Sequence, residues 1–244
     1  MRGFLNASNA PLRESNVVCP KSNPCAEARR PSLIYLSIKR CLDICVGACG
    51  LVVTSPVILI AGLAIKLDSP GPVLYRGRRL GRNGIEFTLF KLRSMVVGSD
   101  LLQRSVGRAD PGVTRVGKIL RRYKLDELPQ LFNVIRGDMS VVGPRPELPR
   151  YAHVFAGDYQ RILNVRPGLT DPATVEFAQV ADVLGAKDPD RAYEEHVLPR
   201  KNVLRLQYVA RQSLAADLGI LAKTLGVLVR SFLSPPRSKK ERTK

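Results

Sequence analysis

An uncharged, largely apolar run from Ile44 to Ile65 dominates the hydrophobic pattern of the chain. As a helix rising 1.5 Å per residue it reaches roughly 33 Å, about one hydrocarbon thickness. Length alone fits a simple transmembrane helix; a buried core helix of a soluble protein fits less well, given the unbroken apolar length. Ser55 and Pro56 stand at the midpoint of the run, where a proline removes one helix hydrogen bond and crowds the preceding turn. Basic residues flank both ends: Lys39 and Arg40 before it, and Lys66, Arg76, Arg78, Arg79 and Arg82 after it. Cytoplasmic flanks carry the basic excess. The pattern therefore predicts a re-entrant helix that bends at Ser55-Pro56 and returns to the same face, with the polar groups freed at the bend finding new partners.

Beyond it, Ser69-Pro70-Gly71-Pro72 breaks the helix. The β-prone segments Val73 to Arg76 and Ile85 to Lys91, with Asn83-Gly84 between them, predict a hairpin. Its loop, Gly77 to Gly84, is basic and glycine-rich but matches no phosphate-cradling fingerprint; it reads as a lipid-headgroup contact or a solvated turn. Helical spacing covers Val113 to Arg122 and Leu125 to Ile135, the second closed by Arg136-Gly137-Asp138. A helix is expected around Tyr151 to Leu163, then a type II turn at Val165-Arg166-Pro167-Gly168. Near the end, Leu214, Leu218, Leu221, Leu225, Leu228 and Phe232 form a stripe that either packs on the globular part or lies in a membrane interface. The expected fold is α+β and mainly helical: a polar disordered tail (1–32), a re-entrant membrane helix (33–70), a compact catalytic domain with a small β-hairpin (71–233) and a basic tail (234–244).

Composition changes this picture in three ways. With 244 residues, 45% of them hydrophobic, there is material for one good core with attachments. Thirty-nine Lys and Arg against 21 acidic residues give a net charge of +18, which calls for a polyanionic partner: nucleic acid, anionic lipid or a phosphorylated substrate. Cys41, Cys45 and Cys49 recur every four residues, as packing residues on one helix face, and Cys19 and Cys25 sit in the polar tail; reduced thiols and a cytosolic catalytic part follow. The first thirty or so residues lack the apolar centre of a cleaved secretory signal, so no export signal is expected.

The densest chemical signal is Leu120-Arg121-Arg122-Tyr123-Lys124-Leu125-Asp126-Glu127-Leu128-Pro129-Gln130-Leu131. Proline at position 129 is tolerated only in a first turn, so a helix starts near Asp126. Two carboxylates then share the positive end of the helix, with Arg121 and Arg122 upstream, and are expected to be ionised. Such a pair suits attack on phosphorus by one carboxylate and retention of a divalent cation by its neighbour. It also suits plain helix capping. Downstream, Val141-Val142-Gly143-Pro144-Arg145-Pro146-Glu147 holds Arg145 between two prolines, a guanidinium fork for bidentate phosphate contact or part of a surface turn.

Taken together, Leu125 to Leu131 and Gly137-Asp138-Met139-Ser140-Val141-Val142-Gly143-Pro144-Arg145-Pro146 resemble the signature of the bacterial sugar transferase family, the monotopic phosphoglycosyl transferases. Lys39-Arg40 with Asp43, Ser55-Pro56, Ile65 to Val73, and Phe90-Lys91-Leu92-Arg93-Ser94-Met95 match in the same order. The resemblance implies a magnesium-dependent site at the cytoplasmic face of the bacterial inner membrane. It implies a covalent phosphosugar intermediate on Asp126, with Glu127 supporting Mg2+ beside it and Arg121, Arg145 and Lys91 around the phosphates. UDP-sugar, best UDP-galactose or UDP-glucose, would yield UMP and load undecaprenyl phosphate to begin exopolysaccharide synthesis. Anionic lipid and downstream glycosyltransferases are the further partners. An N-acetylhexosamine-1-phosphate donor and a non-catalytic membrane scaffold are the alternatives. Two positions depart from the family pattern: Lys124, where many relatives carry a serine able to cap with Glu127, and Gly112, where a basic residue is common. Nucleic acid is disfavoured, because 6% aromatic content is thin for a base-stacking surface and the carboxylate pair would go unexplained.

Overall fold

The computed structural model describes residues 31–99, 112–177, 191 and 193–233. Apart from residues 31 and 32, the expected tails, with Cys19 and Cys25, lie outside the described residues. Helix α1 (Leu33–Asp68) is 36 residues long, with Ser32 accepting from the Tyr35 amide at its start. It runs helically through Pro56. Pro56 cannot donate to the Val52 carbonyl, and the Ser55 hydroxyl takes that carbonyl instead, at 2.8 Å. By length and composition α1 can cross a membrane.

One face of α1 packs on the rest of the protein on both sides of Pro56. Tyr35, Asp43 and Gly47 are buried before it, and Ala61, Gly62 and Ile65 after it. Gly47 is held so close to the next layer that a Cβ there would meet Ile135 at 3.0 Å. Asp43 accepts from the Ser140 hydroxyl and the Val141 amide, and Asp68 accepts from the Val116 amide. Arg40 donates to the carbonyls of Val134 and Ile135, the last turn of the helix that follows the carboxylate pair. On the other face Val52, Val53, Leu59 and Ile60 are each at least 70% exposed.

The hairpin pairs β1 (Leu74–Leu80) with β2 (Glu86–Leu92) in antiparallel register, Tyr75 opposite Lys91. After it come α2 (Arg115–Arg122), α3 (Gln130–Arg136), β3 (Ser140–Val142), α4 (Gln160–Leu163), β4 (Gly168–Thr170), α5 (Pro172–Glu176), α6 (Leu198–Ala210) and α7 (Leu214–Leu233). The main core joins Leu89, Val134, Met139, Val142, Tyr208 and Ile220, so β2, α3, β3, α6 and α7 share one interior. A second cluster seats α1 on β2 and α2 through Ala61, Ile65, Leu92 and Leu120. The fold is mainly helical with two small sheets.

Several expectations change. Strand β1 runs on to Leu80, so Gly77, Arg78 and Arg79 are strand rather than loop. The Tyr75 ring lies over Gly77, where a Cβ would meet it at 2.8 Å; this glycine makes room instead of making a turn. The turn itself is where Asn83-Gly84 places it, with φ of 58° and 75° at those two residues. The helix expected over Tyr151 to Leu163 is broken into tight 3-10 turns at Pro149–Phe155 and Gly157–Tyr159 before the single turn α4, with Gly157 at φ 61°. Gly168 is not a left-handed turn residue. It opens β4, parallel to β3, because its backbone presses on that of Gly143. On α7 the packed face centres on Asp217 and Ile220, while Leu218 and Leu225 of the expected stripe are exposed. Cys41, Cys45 and Cys49 are free thiols as expected, but they occupy the exposed side of α1.

Candidate active site

The chain enters the carboxylate pair through Lys124, whose φ of 58° turns it into the left-handed region. Leu125–Glu127 then form a 3-10 turn, with the Glu127 amide bonded to the Lys124 carbonyl and the Leu128 amide to that of Leu125. Leu128 and Pro129 continue helically into α3. The start of the helix is thus where Pro129 places it, tightened in its first turn. Lys124 makes no capping bond, as its chemistry requires.

Asp126 is buried, 6% exposed, and its Oδ1 has no hydrogen-bond partner among the described residues. Glu127 is enclosed differently: its Oε1 accepts from the Arg145 guanidinium and, at 3.4 Å, from Lys91 Nζ. Burial acts to raise the Glu127 pKa, but the fields of Arg145, Lys91 and Lys124 overcome it and hold the carboxyl well below the ordinary range. Asp126 goes the other way. Burial pushes its pKa up, against the lowering field of Lys91 and with help from the Glu127 charge. The two carboxylates expected to be ionised are held unequally, Glu127 below the ordinary range and Asp126 pushed up, because Asp126 is desolvated without a direct cationic partner among the described residues.

Of the three expected phosphate-binding cations, Lys91 and Arg145 converge on Glu127. Lys91 loses basicity through burial. Arg121 donates to the Ser94 hydroxyl at 2.8 Å and contributes a lowering field at Asp126. Ser55 and Pro56 lie in the middle of α1, and none of their hydrogen bonds reaches these groups.

Arg145 is held by a network that the sequence did not single out. Its amide donates to Asp171 Oδ2 at 2.9 Å and its guanidinium also reaches the Leu169 carbonyl at 3.0 Å. Asp171, fully buried, accepts from Arg205 Nε at 2.9 Å, and Arg205 also pairs with Glu147 at 2.9 Å. Tyr193 donates to Glu147, and Lys201 donates to Tyr193. A buried guanidinium between two carboxylates fixes the Pro144-Arg145-Pro146 segment from behind, and removing it would strand both charges at a cost of about 3–5 kcal/mol. One local signal for it was present: Asp171 before Pro172 is an N-cap and N1 pair, and Asp171 caps α5 through the Thr174 amide. The pairing partners Arg205 and Glu147 lie far away in sequence and carry no such mark.

No group of three or more His, Cys, Asp or Glu side chains suited to an ion is present among the described residues. The protein offers two carboxylates at this point, one with an unpaired oxygen and one already neutralised by cations. That donor set fits a cation shared with the phosphates of a substrate.

The bacterial sugar transferase family model matches residues 34–231. The chain is 39% identical over 197 residues to a UDP-glucose:undecaprenyl-phosphate glucose-1-phosphate transferase of Caulobacter vibrioides, covering 78% of this chain and 69% of that protein. It is 37% identical over 210 residues to a UDP-N-acetylgalactosamine-undecaprenyl-phosphate N-acetylgalactosaminephosphotransferase of Aeromonas hydrophila, covering 83% of this chain and 46% of the relative. An undecaprenyl-phosphate galactose phosphotransferase of Salmonella typhimurium is 34% identical over 209 residues, covering 79% of this chain and 40% of the relative. The chain thus spans less than half the length of the last two. With α1 but for its first residue, the hairpin, the carboxylate pair and the Arg145 segment inside the matched region, the chain belongs to the bacterial sugar transferase family.

Proposed function

We propose that this protein transfers a hexose-1-phosphate from a UDP-sugar to undecaprenyl phosphate in two steps through Asp126. In the first, an Asp126 carboxylate oxygen attacks the sugar-bearing phosphorus, the bond from that phosphorus to the bridging oxygen breaks, and UMP leaves with the electron pair. In the second, a phosphate oxygen of undecaprenyl phosphate attacks the same phosphorus and the bond to Asp126 breaks, restoring the carboxylate. The observation that carries this reading is the buried Asp126 with an unpaired oxygen, beside a Glu127 whose Oε1 is bonded to Arg145 and Lys91. A carboxylate raised in free energy by desolvation is the more reactive of the two. Lys91 and Arg145 bring positive charge to the place where a diphosphate must be neutralised.

Magnesium, held by Asp126 and Glu127, would supply neutralisation of the diphosphate charge. Arg145 and Lys91 orient the phosphates, and the Asp171, Arg205 and Glu147 network keeps the Arg145 backbone in place. A monotopic placement at the cytoplasmic face of the inner membrane is supported by α1, whose two halves both pack on the same body while its outer face stays apolar and exposed. The relatives act on glucose, galactose and N-acetylgalactosamine donors; UDP-glucose or UDP-galactose is our reading for this chain, with exopolysaccharide initiation as its role.

Purified protein in detergent, given magnesium, undecaprenyl phosphate and a panel of UDP-sugars, will release UMP from at least one donor. Asp126→Asn will not. Absence of UMP from every donor would defeat the proposal, and UMP release by Asp126→Asn would defeat the role of Asp126.

A further inference from the structure

Gln130, the first residue of α3, is 1% exposed, and its Nε2 has no hydrogen-bond partner among the described residues. Leaving a buried carboxamide unpaired costs free energy, and most buried polar groups are paired. Asn133, one turn further along the same helix, shows what a buried amide serving the fold looks like. Its Oδ1 accepts from the Phe90 amide, and its Nδ2 donates to the Thr88 carbonyl and to Asp138.

Asn202 and Arg93 also leave one buried nitrogen unpaired, yet each is tied down through its other atoms. Asn202 Oδ1 accepts from Arg205, and the Arg93 guanidinium donates to Ser69 and Pro70. Gln130 has no such second tie among the described residues, and neither does the other unpaired group, Asp126 Oδ1. The two are four residues apart, little more than one turn, across the 3-10 to α junction. Long helical side chains also lean toward the preceding turn, which here is the one that carries Asp126. An unpaired donor and an unpaired acceptor thus lie buried in adjoining turns of one segment.

We propose that Gln130 is a substrate-contacting residue whose Nε2 donates a hydrogen bond to a non-bridging oxygen of the phosphoryl group while that group is bonded to Asp126. This rests on the aspartyl-transfer reading above. Gln130 makes and breaks no covalent bond; it stabilises charge on the phosphoryl oxygens in both steps, and in the resting protein the same donor is left without a partner.

Gln130→Met keeps the length of the side chain and removes its polarity, and it separates a catalytic contact from a structural one. Thermal unfolding in detergent should show a Tm equal to or above that of the wild type, because a buried unpaired amide has been removed. With the donor that releases UMP, kcat should fall roughly 100-fold or more, the ordinary loss for a donor aimed at developing charge, while KM for the UDP-sugar stays within about twofold. A drop in Tm of more than about 5 °C would show that the carboxamide serves the fold, and a kcat within threefold of wild type would show that it does not touch the reaction; either result overturns the proposal. Wild-type protein that releases no UMP sinks the aspartyl-transfer reading and this inference together, whereas an active wild type with an equally active Gln130→Met sinks this inference alone.

Discussion

Lys201 lies at the end of the charge network behind Arg145, with its Nζ 3.2 Å from the Tyr193 hydroxyl and 4.7 Å from the centre of the Tyr193 ring. Burial lowers its pKa from 10.5 to about 8, against the opposing field of Glu147. The folded value lies below the unfolded one, so between about pH 8 and 10.5 the unfolded chain binds a proton that the folded chain has released. Lys201 therefore costs stability at neutral pH, and that cost is relieved as pH rises through this window. Thermal unfolding of wild type and Lys201→Met across pH 7 to 11 checks it: the Tm of the wild type should gain on that of the variant between pH 8 and 10.5. A flat difference would mean that Lys201 keeps its ordinary pKa in the folded protein. At the same scale, the two carboxylates of the pair are distinguished by their surroundings, Glu127 by its contacts with Arg145 and Lys91 and Asp126 by an Oδ1 without a hydrogen-bond partner among the described residues.

At the scale of elements, the placement of Arg145 depends on two strands of three residues each. β3 and β4 lie parallel with Ser140 opposite Gly168, and they approach so closely at Gly143 and Gly168 that a Cβ on Gly168 would sit 2.2 Å from the Gly143 nitrogen. The contact is backbone on backbone, so no side chain can swing away to relieve it. Gly168→Ala is expected to destabilise the protein by about 3 kcal/mol or more, measured as a shift in the unfolding midpoint, and to loosen the Pro144-Arg145 segment. A midpoint within experimental error of wild type would show that the strands can part at little cost. The sequence made some of these elements legible and hid others for physical reasons. The apolar length of α1, the Asn83-Gly84 turn and the start of the helix at Asp126-Glu127 are local signals, each written within a few residues. The carboxylate pair, Lys91 and Arg145 were legible because each sits in a compact motif. Glycine misled twice, at Gly77 and Gly168, since close packing and tight turning favour the same residue type. The Asp43 to Ser140 and Asp171 to Arg205 pairings join residues distant in sequence, and no periodicity records such contacts.

At the scale of the whole molecule, the long apolar helix and the other described elements form one packed unit. Tyr35 and Lys39 near the start of α1 reach Asp217 on α7, while Asp68 at its end reaches Val116 on α2. If the packed body stays on one side of the bilayer, both ends of α1 must stay there too. Single cysteines introduced at Ala28 and Asn83, in a background free of other cysteines, should label from the same side of sealed inverted and right-side-out vesicles. Labelling from opposite sides would make α1 a true membrane crossing. The same packing joins α1 to the helix that follows the carboxylate pair, through Arg40 and the carbonyls of Val134 and Ile135. The central claim, that Asp126 carries the phosphosugar, is tested most directly by intact-protein and peptide mass spectrometry after incubation with magnesium and the active UDP-sugar in the absence of undecaprenyl phosphate. The account predicts a hexose-phosphate adduct confined to the peptide that contains Asp126, formed with release of UMP and discharged when undecaprenyl phosphate is added. An adduct on another residue, or UMP release only when the lipid acceptor is present and no adduct forms, would contradict it.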